Sequence, residues 1–215
     1  MPHQSNHTAF LAQSLKAARI VPVMVIEDVK SAIPLARALV AGGLTMLEIT
    51  LRTPSATDSV RAIKAEVAGA IVGVGTVLTV AQLRESEKAG AAFAVSPGVT
   101  DRLLDAVEAM PLLPGSATAS EAMRLLERGF AVQKFFPAEP SGGAAYLSSI
   151  ASPLPQVQFC PTGGITPEKA AQYLALKNVL AVGGSWMVPQ KLIAAKDWAG
   201  IEALARAAYA IKPAS

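Results

Sequence analysis

Histidine and cysteine are nearly missing from this chain of 215 residues, and their scarcity removes whole classes of chemistry. The single cysteine, Cys160, has no partner for an internal disulfide or a thiolate metal site, which fits a reducing compartment, and it reads as a core residue. Both histidines, His3 and His7, fall in residues 1–7, read as a disordered tail, so histidine catalysis is not expected. No cluster of carboxylates at strand ends takes their place, and the expectation is no metal. Charged residues make up only 16% of the chain and the net charge is +3, without a dense Lys/Arg run. That disfavours nucleic acid and leaves room for a small anionic ligand. The longest uncharged apolar stretch, 67–83, is broken by Gly69, Gly73, Gly75, Thr76 and Thr79, and reads as strand and turns rather than a membrane helix. Residues 1–7 lack the basic and apolar regions of a signal peptide, which makes the cytoplasm the expected location.

What the chain has is hydrophobic residues, 52% of it, in short β-rich runs at intervals of about 20 to 26 residues, each followed by a helical pattern. Eight such strands are predicted, at 20–26, 46–52, 70–77, 93–97, 112–114, 131–137, 157–162 and 179–183. Predicted helices over 29–41, 80–89 and 119–128 end at Gly42-Gly43, Gly90 and Gly129, as glycine C-caps require. An extra helix is predicted over 8–19. With no linker or low-complexity segment, the pattern predicts an α/β chain folded as one (β/α)8 TIM barrel domain over 1–215, with that extra N-terminal helix. A dinucleotide fold is a weak rival, because the run from Gly73 has Leu78 where a third glycine belongs.

Lys134 lies in a strand-like run of aromatic and β-branched residues, a costly place for an ammonium. Burial disfavours the charged form of an amine, and a neutral amine is what attacks a carbonyl to form a Schiff base. The bland alternative is a lysine that carries its head to water. On the second strand, alternation puts Met46, Glu48, Thr50 and Arg52 on one face and Leu47, Ile49 and Leu51 on the other, so the polar set points inward. One layer of an eight-stranded barrel is filled from alternate strands, so Glu48 on the second strand and Lys134 on the sixth can meet across the axis. There the carboxylate can shuttle protons, or the two can form a buried pair that satisfies only itself. Glu27 is a rival base, read more simply as starting the next helix with Asp28. Glycine pairs follow the last two strands, at Thr162-Gly163-Gly164 and Gly183-Gly184-Ser185, where barrels bind phosphate; two tight turns are the alternative.

Taken in order, these blocks resemble the 2-keto-3-deoxy-6-phosphogluconate/4-hydroxy-2-oxoglutarate aldolase family. The matching blocks are Gly43 to Arg52, Gly75-Thr76-Val77-Leu78, Lys134-Phe135-Phe136-Pro137-Ala138-Glu139 with Gly142, Phe159 to Ile165, and Gly183-Gly184-Ser185-Trp186. The resemblance implies a class I aldolase without cofactor that cleaves a small 2-keto acid phosphate, 2-keto-3-deoxy-6-phosphogluconate, to pyruvate and glyceraldehyde 3-phosphate. It also implies action on 4-hydroxy-2-oxoglutarate and assembly as a homotrimer. Carried over by position, it makes Lys134 the Schiff-base former and Glu48 the proton shuttle. Arg52 and Thr76 would hold the pyruvate carboxylate, Thr162 would shape substrate choice, and Gly163, Gly164 and Ser185 would hold phosphate. Gln133 and Ser116 stand where the family is usually apolar. A phosphate-binding barrel of another class, an isomerase or a ligand-binding protein, is the competing reading, and Lys134 speaks against it.

Overall fold

A computed structural model describes residues 2–214. The strands are β1 (Ile20–Met24), β2 (Met46–Thr50), β3 (Ile71–Gly75), β4 (Ala94–Val95), β5 (Leu112–Leu113), β6 (Gly115–Ser116), β7 (Val132–Phe135), β8 (Gln158–Pro161) and β9 (Val182–Gly184). All pair in parallel, in a six-stranded sheet of order β5-β4-β3-β2-β1-β9 and a three-stranded sheet β6-β7-β8. Pro114, the last residue of the fifth predicted strand, separates β5 from β6. It has no amide hydrogen to give a ladder, but its carbonyl accepts from the Lys134 N–H at 2.8 Å, so the chain leaves the β4 ladder and joins that of β7 here. Single parallel bridges, Phe159 to Val179 and Thr162 to Gly183, tie the β8 side to the β9 side. The result is a curled parallel sheet of an α/β protein.

Side-chain alternation sorts the core into two parts. Val21, Met46, Phe93, Val95, Leu113, Val132, Cys160 and Ala181 face the concave side and cluster with Leu11, Leu15 and Ala18. Those last three lie on α1 (Pro2–Ala18), at spacings that put them on one helical face closing one end of the curl. Leu47, Ile49, Val72, Val74, Phe135 and Phe159 face the other way and pack with residues of the surrounding helices, among them Leu35, Leu39, Ile63, Leu83 and Leu147. Each such fully buried aliphatic side chain contributes about 1.5–3 kcal/mol.

Boundaries differ from the predicted ones for local reasons. The helix predicted over 8–19 begins at Pro2, so residues 2–7, expected to be a disordered tail, are helical. Once Leu11 and Leu15 anchor a nucleus, extending it adds one hydrogen bond per residue fixed. The strand predicted over 93–97 shortens to Ala94–Val95, two residues before Pro97, which has no N–H to donate. After α2 (Ala32–Ala41) and α3 (Ala56–Glu66), threonines start several helices: Thr79 and Thr100 cap α4 (Val80–Ala89) and α5 (Asp101–Asp105), Thr118 with Glu121 forms a capping box on α6 (Ala119–Glu127), and beyond α7 (Gly143–Ile150) Thr166 caps α8 (Pro167–Leu174).

Candidate active site

The centre of the site is one contact between opposite strands. Glu48 on β2 and Lys134 on β7 both point into the curl, and Lys134 Nζ lies 3.4 Å from Glu48 Oε1. Their side chains are only 7% and 5% exposed, so Lys134 does not reach outward to bulk water. The ammonium lies 5.0 Å from the centroid of the Phe136 ring, a cation–π contact that sequence reasoning missed. Gly75 on β3 explains how the carboxylate fits: a Cβ built there would come within 2.1 Å of Glu48 Oε1 and 2.9 Å of its Cγ. The Gly75-Thr76 block carried that signal, but alternation alone gave no way to see which side chain needed the space. Next to the pair, burial, with Glu48 adding to it, pushes the Cys160 thiol up to about 12, so it stays protonated and inert at neutral pH.

A cavity of about 490 Å³, a size suited to a small molecule, opens on the other side of Phe136, whose ring faces Lys134; neither Lys134 nor Glu48 is itself among its lining residues. Arg52, Phe136, Thr162, Gly163, Gly164 and Ser185 are among its lining residues. Arg52 was expected to continue the β2 face, but the strand ends at Thr50 and Arg52 sits exposed in the turn that follows. Its Nε nevertheless donates to Thr76 Oγ1 at 3.3 Å, which connects Thr76 to the rim. Thr76 has φ +61°, a left-handed conformation strained for a β-branched residue and held here at the mouth of the site. Thr162 and Gly183 are bridged, so the two glycine loops lie side by side, and Gly163 and Gly164 both have left-handed φ, +109° and +77°. Val23, Val25 and Val188 add an apolar wall, and Gln190, another residue the sequence did not single out, donates to the Val25 carbonyl at 2.9 Å.

Other sequence candidates fall elsewhere. Glu27 is exposed, while Asp28 caps a 3-10 turn, η1 (Val29–Ser31), by accepting from the Lys30 N–H at 3.0 Å. The two unusual polar residues account for each other: Ser116 Oγ donates to Gln133 Oε1 at 2.9 Å, and Gln133 Nε2 donates to the carbonyls of Ala122 and Phe130. Gln133 faces away from Lys134, so this buried network belongs to the packing of α6 on the sheet. Among the described residues, no group of three or more His, Cys, Asp or Glu side chains is gathered as metal ligands would be.

A curled parallel sheet with a buried lysine–glutamate pair near a glycine-rimmed cavity defines a class: an α/β protein equipped for chemistry between an amine and a carbonyl. Comparison with known proteins narrows that class. The family model for KDPG and KHG aldolase matches residues 11–204. The KHG/KDPG aldolase of Escherichia coli K12 is 52% identical over 196 residues, which cover 90% of this chain and 92% of that one. The crystal structure of the 2-keto-3-deoxy-6-phosphogluconate aldolase of Zymomonas mobilis ZM4 with 3-phosphoglycerate is 48% identical, with a TM-score of 0.90 and coverage of 96% of this chain and 98% of that one. That of the Legionella pneumophila KDPG aldolase, with pyruvate captured as a covalent carbinolamine intermediate, is 43% identical, with a TM-score of 0.89 and coverage of 92% and 97%. The chain belongs to the KDPG and KHG aldolase family.

Proposed function

We propose that this protein is a class I aldolase that cleaves 2-keto-3-deoxy-6-phosphogluconate to pyruvate and glyceraldehyde 3-phosphate. It also cleaves 4-hydroxy-2-oxoglutarate to pyruvate and glyoxylate. The observation that carries this reading is the buried Lys134–Glu48 pair, 3.4 Å apart, with Lys134 against the ring of Phe136, which lines the cavity. Lys134 Nζ adds to the C2 carbonyl, and the carbinolamine loses water to give a protonated imine. Glu48 supplies and removes the protons that these steps need. It then takes the proton of the C4 hydroxyl, the C3–C4 bond breaks, and its electron pair enters the imine to form an enamine as the aldehyde leaves. Protonation at C3 and hydrolysis release pyruvate and free the amine. Arg52 and Thr76 hold the carboxylate, Thr162 discriminates among substrates, and Gly163, Gly164 and Ser185 hold the phosphate. The imine is the electron sink, so these steps call on no metal or organic cofactor.

The same reading joins the two sheets into one closed (β/α)8 barrel domain with α1 as its extra helix. The split at Pro114 and the bridges from β8 toward β9 support it. A homotrimer is the assembly that the family resemblance supports, and the lone Cys160 fits a cytoplasmic location; no helix among the described residues is long and apolar enough to cross a membrane. The direct test is to incubate the protein with 2-keto-3-deoxy-6-phosphogluconate and follow pyruvate through lactate dehydrogenase. Turnover that is lost in Lys134→Ala is expected. Absence of pyruvate, or turnover that survives that substitution, would overturn the proposal.

A further inference from the structure

The two glycines at 163 and 164 pose a problem for any ligand they hold. Glycine has the greatest backbone freedom, and a loop that must be ordered on binding loses affinity to that ordering. The loop is held by Glu139, a residue at the end of the Lys134 segment that contributes nothing to the cavity lining. Its backbone N–H donates to the Gly163 carbonyl at 3.1 Å, next to the bond from the Ala138 N–H to the Thr162 carbonyl at 2.8 Å. Its side chain lies against Gly164, where an added Cβ would come within 3.0 Å of Glu139 Cβ and 3.1 Å of Cγ.

The carboxylate itself is fixed from α8, the helix that the loop runs into. Tyr173 Oη donates to Glu139 Oε1 at 2.6 Å, and Lys169 Nζ pairs with Oε2. Positions 169 and 173 are one helical turn apart, so both reach the same carboxylate from one face of the helix. The hydrogen bonds from Lys169 and then Tyr173 hold the Glu139 carboxyl below the usual range, while burial and then Glu139 push the Tyr173 phenol above its own. The result is an ionised acceptor between two donors. Thr166, the N-cap of α8, completes the path from the loop into the helix.

We propose that Glu139, clamped by Lys169 and Tyr173, is a positioning residue that sets the Gly163-Gly164 loop for the substrate's phosphate and thereby selects phosphorylated over unphosphorylated 2-keto acids. This rests on the aldolase reading above. Glu139 acts through the loop and takes no part in the imine chemistry, so its loss shows in KM for the phosphorylated substrate and leaves kcat in place.

The experiment measures kcat and KM on 2-keto-3-deoxy-6-phosphogluconate and on 4-hydroxy-2-oxoglutarate for the wild type, Glu139→Gln, Tyr173→Phe, Lys169→Gln and Lys169→Arg. Thermal unfolding of each is recorded in parallel. Glu139→Gln is expected to raise KM for the phosphorylated substrate about tenfold, with kcat and the second substrate changed less than about twofold. Lys169→Gln, at a half-exposed position, shows the same split to a smaller degree, and Lys169→Arg keeps the wild-type KM. Equal losses on both substrates, or a wild-type KM in both Glu139→Gln and Lys169→Gln, would overturn the inference. A wild type that cleaves neither substrate would instead overturn the aldolase reading on which it stands.

Discussion

Replacing Gly75 with alanine tests the geometry of the site through a residue that takes no part in the chemistry. A methyl group there would sit 2.1 Å from Glu48 Oε1, 2.8 Å from Cδ and 2.9 Å from Cγ. Ordinary contact begins near 3.4 Å, so the carboxylate oxygen has to retreat by about 1.3 Å, and the body of the side chain by about half an ångström. Glu48 cannot make that move freely, because it is 3% exposed and packed within the curl. A displacement on the order of 1 Å in a reacting group costs about a hundredfold in rate, and overpacking costs about 1–3 kcal/mol of stability. Gly75→Ala should therefore stay folded with a modestly lower Tm and lose about two orders of magnitude in kcat. KM should change less, since the rim at Arg52 and Ser185 is untouched. The assays are a coupled pyruvate assay and a thermal melt. A kcat within threefold of wild type would mean that Glu48 need not stand where the structure has it.

Three further expectations follow from neighbouring contacts. Glu48→Gln should lower kcat by about two to four orders of magnitude, the range for losing a general acid/base, while Glu27→Gln should leave it unchanged; a crippled Glu27→Gln would reverse the assignment. Ser185→Ala should cost about tenfold to a hundredfold in kcat/KM on 2-keto-3-deoxy-6-phosphogluconate and little on 4-hydroxy-2-oxoglutarate, and equal losses on the two would make Ser185 a support of the fold instead. Ser116→Ala leaves Gln133 Oε1 buried without its donor, so denaturant unfolding should show a loss of about 1–3 kcal/mol with turnover intact; unchanged stability would contradict the hydrogen-bond network.

Period-two alternation and the layering of parallel strands were enough to bring Glu48 and Lys134 toward each other, because both depend on backbone geometry that sequence pattern reports directly. Glycine at helix ends was legible for the same reason, whereas the threonine N-caps were not singled out. Arg52 shows where the reasoning ran out: alternation assumes that the strand continues, and β2 ends at Thr50, so the guanidinium reaches the site from a turn. Gln190 and the Glu139 clamp depend on contacts between residues far apart in sequence, which no local periodicity encodes, whereas Phe136 stands only two positions from Lys134. Gln133 and Ser116 looked like two separate oddities, and only their 2.9 Å hydrogen bond shows that they are one feature.

The central claim is that Lys134 forms an imine with the substrate's keto group. Reduction with borohydride in the presence of pyruvate tests it most directly, because it converts a transient imine into a stable secondary amine on whichever residue formed it. Peptide mass spectrometry should find the pyruvate-derived adduct on Lys134, with parallel loss of activity and no adduct in Lys134→Ala. An unmodified Lys134 in protein that still turns over, or an adduct on another lysine, would contradict the account.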